Sequence, residues 1–489
     1  MSLSVGLDVA LSALSSTSEQ TSVVARNTAR ANDAFATRKW ANVVTTENGG
    51  IRVSSVTRAA NSAMLDKMLS ATSVSAAQKA IIDALNTLDQ TIADPELDAS
   101  PAAMIQKLTD AIQQYAAAPH DTLRAQSAVA AAQNLADSLN AATDTVQNVR
   151  AQADAGMADS VGRLNTLLSR FETLNTEIVK GTRSGHDVTD YLDQRDGLLA
   201  SISEEVGIRT VSRANGDMAI YTDSGVTLFE VKARAVTFDR SLVYSPSTSG
   251  NPVYVDGVPI AGGAGVMVAG SGRLTGLAAI RDGAAVSYQN QLDEIARGLI
   301  EAFAEKDQSA TPTLPDAPGL FTYPGGLSLP ASGAIMVGLA GTIKINAAVD
   351  PAQGGNLARL RDGGMAGAAY VYNSDGGAGY ADRLNQYGDA LTVARSFDNS
   401  SGLMTSASIR GFASASAAWL QEARKFANDN AQYADTLLHR SSEALSNETG
   451  INIDEEMTSL LQLERAYEAS TRLITTIDNM LKALLATAG

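Results

Sequence analysis

Three aspartates, Asp190, Asp193 and Asp196, recur every third residue in the stretch DYLDQRD. On a helix that spacing gathers carboxylates on one side, where they could bind a metal ion or pass a proton. Arg183 and Arg195 lie close in sequence, and their charges point instead to solvated ion pairs. A second acidic run, Asp454-Glu455-Glu456, follows Asn452 at the start of a helical pattern. Acidic side chains there meet the positive end of the helix dipole, and Asn452 can cap the helix. The three histidines, His120, His186 and His439, share no ligand spacing and read as surface or loop residues. HExxH, GxSxG and GxxxxGK patterns are absent. The glycines of GGAGVMVAGSG, 262–272, do not fit GxGxxG and read as loop. With no cysteine in the chain, disulfides, thiol nucleophiles and thiolate metal sites are excluded. No catalytic, cofactor-binding or metal residue is assigned.

The elements around these residues follow from composition. The 489 residues are enough for roughly three domains. Hydrophobic residues make up 45%, but aromatics only 5%, so the apolar share leans on alanine and suits closely packed helices. A net charge of −16 with no basic run disfavours nucleic acid. No apolar stretch is long enough to span a membrane as a helix, and the first ten residues lack a secretory pattern. All 12 prolines lie between Pro95 and Pro351, and 28 of the 40 glycines lie between Gly207 and Gly388. The two ends therefore read as helical and the middle as strands and loops. Asn215-Gly216 between Ile208–Val211 and Met218–Thr222 predicts a type I′ hairpin, and Asp256-Gly257 joins VYV to VPI in the same way. VTLFEV, 226–231, and TIKIN, 342–346, are further strands. Helices are expected over 102–117, 123–155, 161–178 and 278–303, with Asp94–Pro101 as a turn. Apart from the extreme N-terminus, the first 200 residues read as helical.

The C-terminal segment carries a heptad pattern. Ile453, Leu460, Tyr467, Ile474 and Leu481 are spaced by seven, and Leu463, Ser470, Ile477 and Leu484 fall three residues later. The N-terminal match, Leu7, Leu11, Leu14, Ser18, Thr21 and Ala25, fades into small polar residues. A terminal amphipathic helix commonly docks on its own domain. Two such helices, free of proline and remote from the β centre, also suit packing between copies. Leu7, Leu11, Leu14, Leu460, Tyr467, Ile474, Ile477, Leu481 and Leu484 are the expected assembly contacts. A lone amphipathic helix is marginal in water, so both ends are expected to lack order in the isolated monomer.

Three separated segments carry a family resemblance. GINIDEEMTSLLQLERAYEASTRLITTIDNMLKALL, 450–485, resembles the terminal segment of bacterial flagellar axial proteins. LDQRDGLLASISEEVGI, 192–208, and SGRLTGLAAIRD with LDEIARGLIEAF, 271–282 and 292–303, resemble the flagellar hook-associated protein 1 family. That family's N-terminal segment has an Asn-rich run and then Thr-Pro-Gly-Tyr. Here NTARAN, 27–32, is followed by Asp33-Ala34-Phe35-Ala36, where Phe35 is expected to take the aromatic's role.

The resemblance implies a non-enzymatic structural protein at the hook–filament junction, exported unfolded by the flagellar type III export apparatus without a cleaved signal peptide. Its implied partners are further copies in a tubular lattice, the hook protein, the second junction protein (hook-associated protein 3) and an export chaperone, with no cofactor. The expected fold is an α+β multidomain protein. It has α-helical coiled-coil termini, 1–42 and 453–489, and an α-helical rod domain, 43–206, 276–306 and 405–452. A β-rich inserted domain occupies 207–275, and a Gly/Pro-rich, partly β insertion 307–404. Two other readings are another axial protein, such as the hook subunit, and a secreted carbohydrate-active enzyme.

Overall fold

The structure is a computed structural model that describes residues 3–90, 100–263 and 265–488. The expected turn at Asp94–Pro101 falls largely outside the described residues. Helix α1 (Leu3–Ala29) leads into a hairpin of β1 (Lys39–Thr45) and β2 (Ile51–Arg58). Helices α2 (Ser62–Leu88), α3 (Pro101–Ala117), α4 (Thr122–Ser184) and α5 (Thr189–Glu205) follow. The helical reading of the first 200 residues thus fails at 39–58. Val43, Val44, Ile51, Val53 and Val56 are β-branched, and Asn48-Gly49-Gly50 turns the chain, with Gly49 at φ +82°.

Helix α4 is continuous for 63 residues, roughly 95 Å, where two shorter helices are expected. Asp121 caps its start, accepting from the Leu123 and Arg124 amides, and left-handed Gly185 ends it. Gly156 does not break it. A Cβ there would stand 3.1 Å from Leu277, so the glycine admits a neighbouring helix instead.

The centre holds two three-stranded antiparallel sheets. The first orders β3 (Ile208–Ser212), β4 (Met218–Thr222) and β5 (Thr227–Phe229); the second orders β6 (Val236–Thr237), β7 (Val253–Val255) and β8 (Val258–Ala261). Asn215 and Gly216, and likewise Asp256 and Gly257, take positive φ, as a type I′ turn demands. Helix α6 (Arg273–Ala279) runs through a π-helical turn at Ile280–Ala284 into α7 (Ala285–Ala302). The stretch 307–404 contributes two-residue strands, β9 (Phe321–Thr322) paired with β10 (Lys344–Ile345), and β11 (Arg395–Ser396) paired with β12 (Ser406–Ala407) just beyond the stretch. It also carries the short helices α8 (Arg359–Asp362) and α9 (Asp382–Ala390). It does not stand apart: Phe321, Leu339, Leu360 and Tyr387 share one core with α3, α4 and α7. The chain closes with α10 (Ile409–Thr449) and α11 (Ile453–Ala488).

Two cores result. One joins α3, the first half of α4, α7 and 307–404; the other joins the second half of α4, α5 and the two sheets. Helices α2, α4 and the α6–α7 run supply residues to both. No helix among the described residues is long and apolar enough to cross a membrane.

Candidate functional site

The terminal helices pack on each other within the single chain. Asn27 near the end of α1 meets Glu456 near the start of α11, and Gly6 lies against Ile477. Both separations are 21 residues, so the pair is antiparallel and in step. The expected monomer with two unpaired ends is corrected here: each amphipathic helix covers part of the other's stripe.

The buried side of α1 is Ala10, Ser16, Thr17, Val23 and Asn27, not the leucine row. This side is shared between α11 and the hairpin: a Cβ at Gly6 would stand 3.5 Å from Ile477 Cδ1, and Asn27 bonds both Glu456 and the Lys39 carbonyl. Leu7 and Leu14 are half-buried and Leu11 is exposed. On α11, Ile477 is buried and Leu460, Ile474 and Leu481 are half-buried against α1. Tyr467 stays 47% exposed and Leu484 55%. Leu473, Met480 and Leu485, which the heptad reading passed over, are exposed beside them.

The base of this pair is fixed by the carboxylates of α5. Asp193 is fully buried and accepts from Lys39 Nζ at 2.6 Å, Thr37 Oγ1 at 2.6 Å and Arg58 Nη1 at 3.0 Å. Asp190 pairs with Arg30 at 2.6 Å, Lys39 at 2.9 Å and Arg26 at 3.4 Å, and Asp196 with Arg58 at 2.7 Å. Solvated pairs with Arg183 and Arg195 are therefore corrected. Arg195 turns away and donates to the Gly216 carbonyl at 2.5 Å. The cations come from α1 and the hairpin, which no local spacing could reveal. Burial acts to raise Asp190, but the Lys39 hydrogen bond and the Lys39, Arg26 and Arg30 charges outweigh it and hold this carboxyl below its ordinary range. Burial dominates at Asp196 and pushes it up.

A second set of bonds reaches α11. Asn27 donates to Glu456 Oε2 at 3.0 Å and to the Lys39 carbonyl at 2.7 Å, and Arg38 Nε donates to Glu456 Oε1 at 2.9 Å. Arg38 also pairs with Glu455, and its amide donates to the Thr449 carbonyl at 2.9 Å. Asn452 caps α11, accepting from the Asp454 amide at 3.0 Å, as its position predicts. Phe35 packs over Gly197 of α5, where a Cβ would come within 3.3 Å of the ring. This joint binds α1, the hairpin, α5, α10 and α11 into one corner. The histidines lie elsewhere: His120, His186 and His439 are all exposed.

Comparison with known proteins bears on what this corner serves. A family model described as the flagellar hook-associated protein FlgK helical domain matches residues 64–316, just over half of the chain. A model described as the flagellar basal body rod FlgEFG protein C-terminal matches 444–487, which covers the end of α10 and nearly all of α11. Flagellar hook-associated protein 1 of Bacillus subtilis (strain 168) is 24% identical over 379 residues, 72% of this chain and 69% of that protein. Flagellar hook-associated protein 1 of Salmonella typhimurium is 23% identical over 262 residues, 52% of this chain and 46% of that protein. The flagellar hook junction protein FlgK from Burkholderia pseudomallei superimposes with a TM-score of 0.43 at 22% identity, over 53% of this chain and 46% of that one. The chain thus spans less than half the length of the last two. On the match over 64–316, the chain belongs to the FlgK family of flagellar hook-associated proteins.

Proposed function

We propose that this chain is a non-enzymatic structural subunit that joins hook to filament, self-associating through the outer faces of its paired terminal helices. The carrying observation is that the intrachain pair leaves large apolar side chains uncovered: Leu11 on α1, and Tyr467, Leu473, Met480 and Leu484 on α11. Exposed rows of this kind on a helix pair are contact surfaces for further helices. The assigned contacts divide accordingly. Ile477 holds the pair together, while Leu11, Tyr467 and Leu484 face neighbouring copies, with Leu7, Leu14, Leu460, Ile474 and Leu481 at the margin. The corner around Asp193 sets the angle between the terminal pair and the rest of the chain. The hook protein below and the second junction protein (hook-associated protein 3) above are the proposed axial partners. Delivery is through the flagellar type III export apparatus with an export chaperone, without a cleaved signal peptide. Electron microscopy of cells lacking the gene tests the reading. Hooks without filaments, and filament subunits lost to the medium, are expected; intact filaments would overturn it.

A further inference from the structure

Away from the terminal pair, α10 carries a second uncovered row. Phe426 is 68% exposed and Tyr433 71%, and Leu437 is exposed beside them. Their spacing of seven and four residues puts all three on one line of the helix, about 17 Å long. At about 100° per residue, that line lies roughly a quarter turn from the row of Leu420, Ala427 and Ala434 that is buried within the chain. Two aromatic rings and a leucine in one row are too much apolar surface to leave to water by chance.

The same chain holds a groove of matching form. Ala76, Ala80 and Ala84 of α2 line it, with Val149 and Ala153 of α4 opposite and Leu277 of α6 beside them, around a cavity of about 290 Å³. From Ala76 to Thr87 the groove follows α2 for 11 residues, the same length as Phe426 to Leu437. Its lining carries both signs, Lys79 and Arg273 against Asp83 and Glu204. The ridge is flanked by Glu422 and Asp429 on one side of its line and by Arg440 further along, so each surface offers partners for the other's charges.

We propose that the Phe426–Tyr433–Leu437 ridge of one copy seats in the α2–α4 groove of a second copy of this chain. Helices pack by setting the ridges of one into the grooves of another, and alanines at the base leave room for aromatic rings. Because the self-assembly reading needs more than two copies, the contact is taken as head-to-tail, propagating from copy to copy into a ring or helical array rather than pairing reciprocally in a two-fold dimer. The inference rests on the self-assembly reading above and adds a lateral contact outside the terminal helices.

The absence of cysteine gives disulfide trapping a clean background. The full-length double variant Tyr433→Cys with Ala80→Cys is oxidised in two settings: assembled on cells, and purified at high concentration. The two single variants and the pair Tyr433→Cys with Ser169→Cys serve as controls. A ladder of cross-linked species beyond the dimer is expected from the double variant alone. Dimers from Tyr433→Cys by itself would mean that ridge meets ridge, and would overturn the proposal. So would the lack of a ladder in both settings with the two cysteines shown free of an intrachain disulfide, a control needed because α10 packs along α2 in the same chain, even with the protein present at the hook tip, an outcome that leaves the self-assembly reading intact. A ladder from the purified chain with no protein at the hook tip would uphold the contact and remove the junction reading. Tyr433→Asp, at an exposed position, should keep the monomer's melting curve and reduce incorporation at least tenfold. Normal incorporation of that variant would count against the contact.

Discussion

Asp193 receives Thr37, Lys39 and Arg58 while fully buried, and the Lys39 side chain is almost as deep. Such a cluster is costly to assemble and more costly to break, because removing one partner strands the others without water. Asp193→Ala should therefore destabilise the joint by about 3–5 kcal/mol. Limited proteolysis within 30–58 should accelerate, and unchanged cleavage there would show that the cluster holds nothing. A different carboxyl adds a pH dependence of its own. Burial pushes Asp293 up to about 6, although the Gly338 and Ala340 amides each donate to it at 2.8 Å. Its folded value lies above the ordinary 3.8, so its contribution is fully present below about pH 4 and is lost as pH rises through 6. Wild type should lose on the order of 2–3 kcal/mol more between pH 4 and 7 than Asp293→Asn does, by denaturant unfolding. Parallel curves for the two proteins would place the Asp293 titration elsewhere.

At the scale of elements, the antiparallel pair of α1 and α11 separates two kinds of apolar residue that one heptad pattern merges. Ile477 is buried against α1, whereas Leu484 is exposed. Ile477→Asp would bury a charge in the seam, at a cost of several kcal/mol. It should speed amide exchange along Ala10–Asn27 and Leu460–Leu481 in the monomer. Leu484→Asp should leave that exchange unchanged and abolish incorporation at the hook tip. If Leu484→Asp assembles normally, the outer row is not an interface. The heptads of α11 were legible because large residues recur at seven. The matching face of α1 was not, because Ala10, Ser16, Thr17 and Asn27 look like a polar surface until the elements that cover them are known. Turns written in two residues, Asn215-Gly216 and Asp256-Gly257, could be read directly. Asn48-Gly49-Gly50 between two valine-rich runs is an equally local signal for the β1–β2 hairpin, and helical expectation for the whole region masked it. The joint was illegible for a different reason. Asp193 finds Lys39 across 154 residues, and no spacing rule reaches that far.

For the whole molecule the question is whether two cores behave as one body. Helices α2, α4 and α6–α7 pass through both, so neither core can lose its helices without disturbing the other. A buried polar cluster ties them where α4 and the π-helical turn cross. Arg281 is fully buried and donates to Asp154 at 2.7 Å and to the Asn251 carbonyl at 2.9 Å. Its guanidinium lies so close over Gly250 that a Cβ there would be 2.3 Å from Cζ. Arg150 of α4 donates to the carbonyls of Arg281, Ser245 and Thr248, which pins the loop between β6 and β7 to both helices. The two cores should therefore unfold in a single calorimetric transition. Asp154→Ala leaves Arg281 Nη1 and the buried Tyr244 hydroxyl without their acceptor, while Asp282 still holds the guanidinium at 2.7 Å, so the cost is about 1–3 kcal/mol. Because that loss falls on the side of the sheets, the transition should split, with the 207–275 region melting first. The double change Asp154→Leu with Arg281→Met removes the fully buried pair at similar volume and leaves the partly exposed Asp282 to water, so it should recover part of the stability, since an apolar replacement of a buried pair is often neutral or better. Recovery of melting temperature without recovery of the single transition would mean that the ions, rather than the shared helices, couple the cores. An Asp154→Ala protein that melts like wild type would show that this crossing carries none of the coupling, leaving it all to the shared helices.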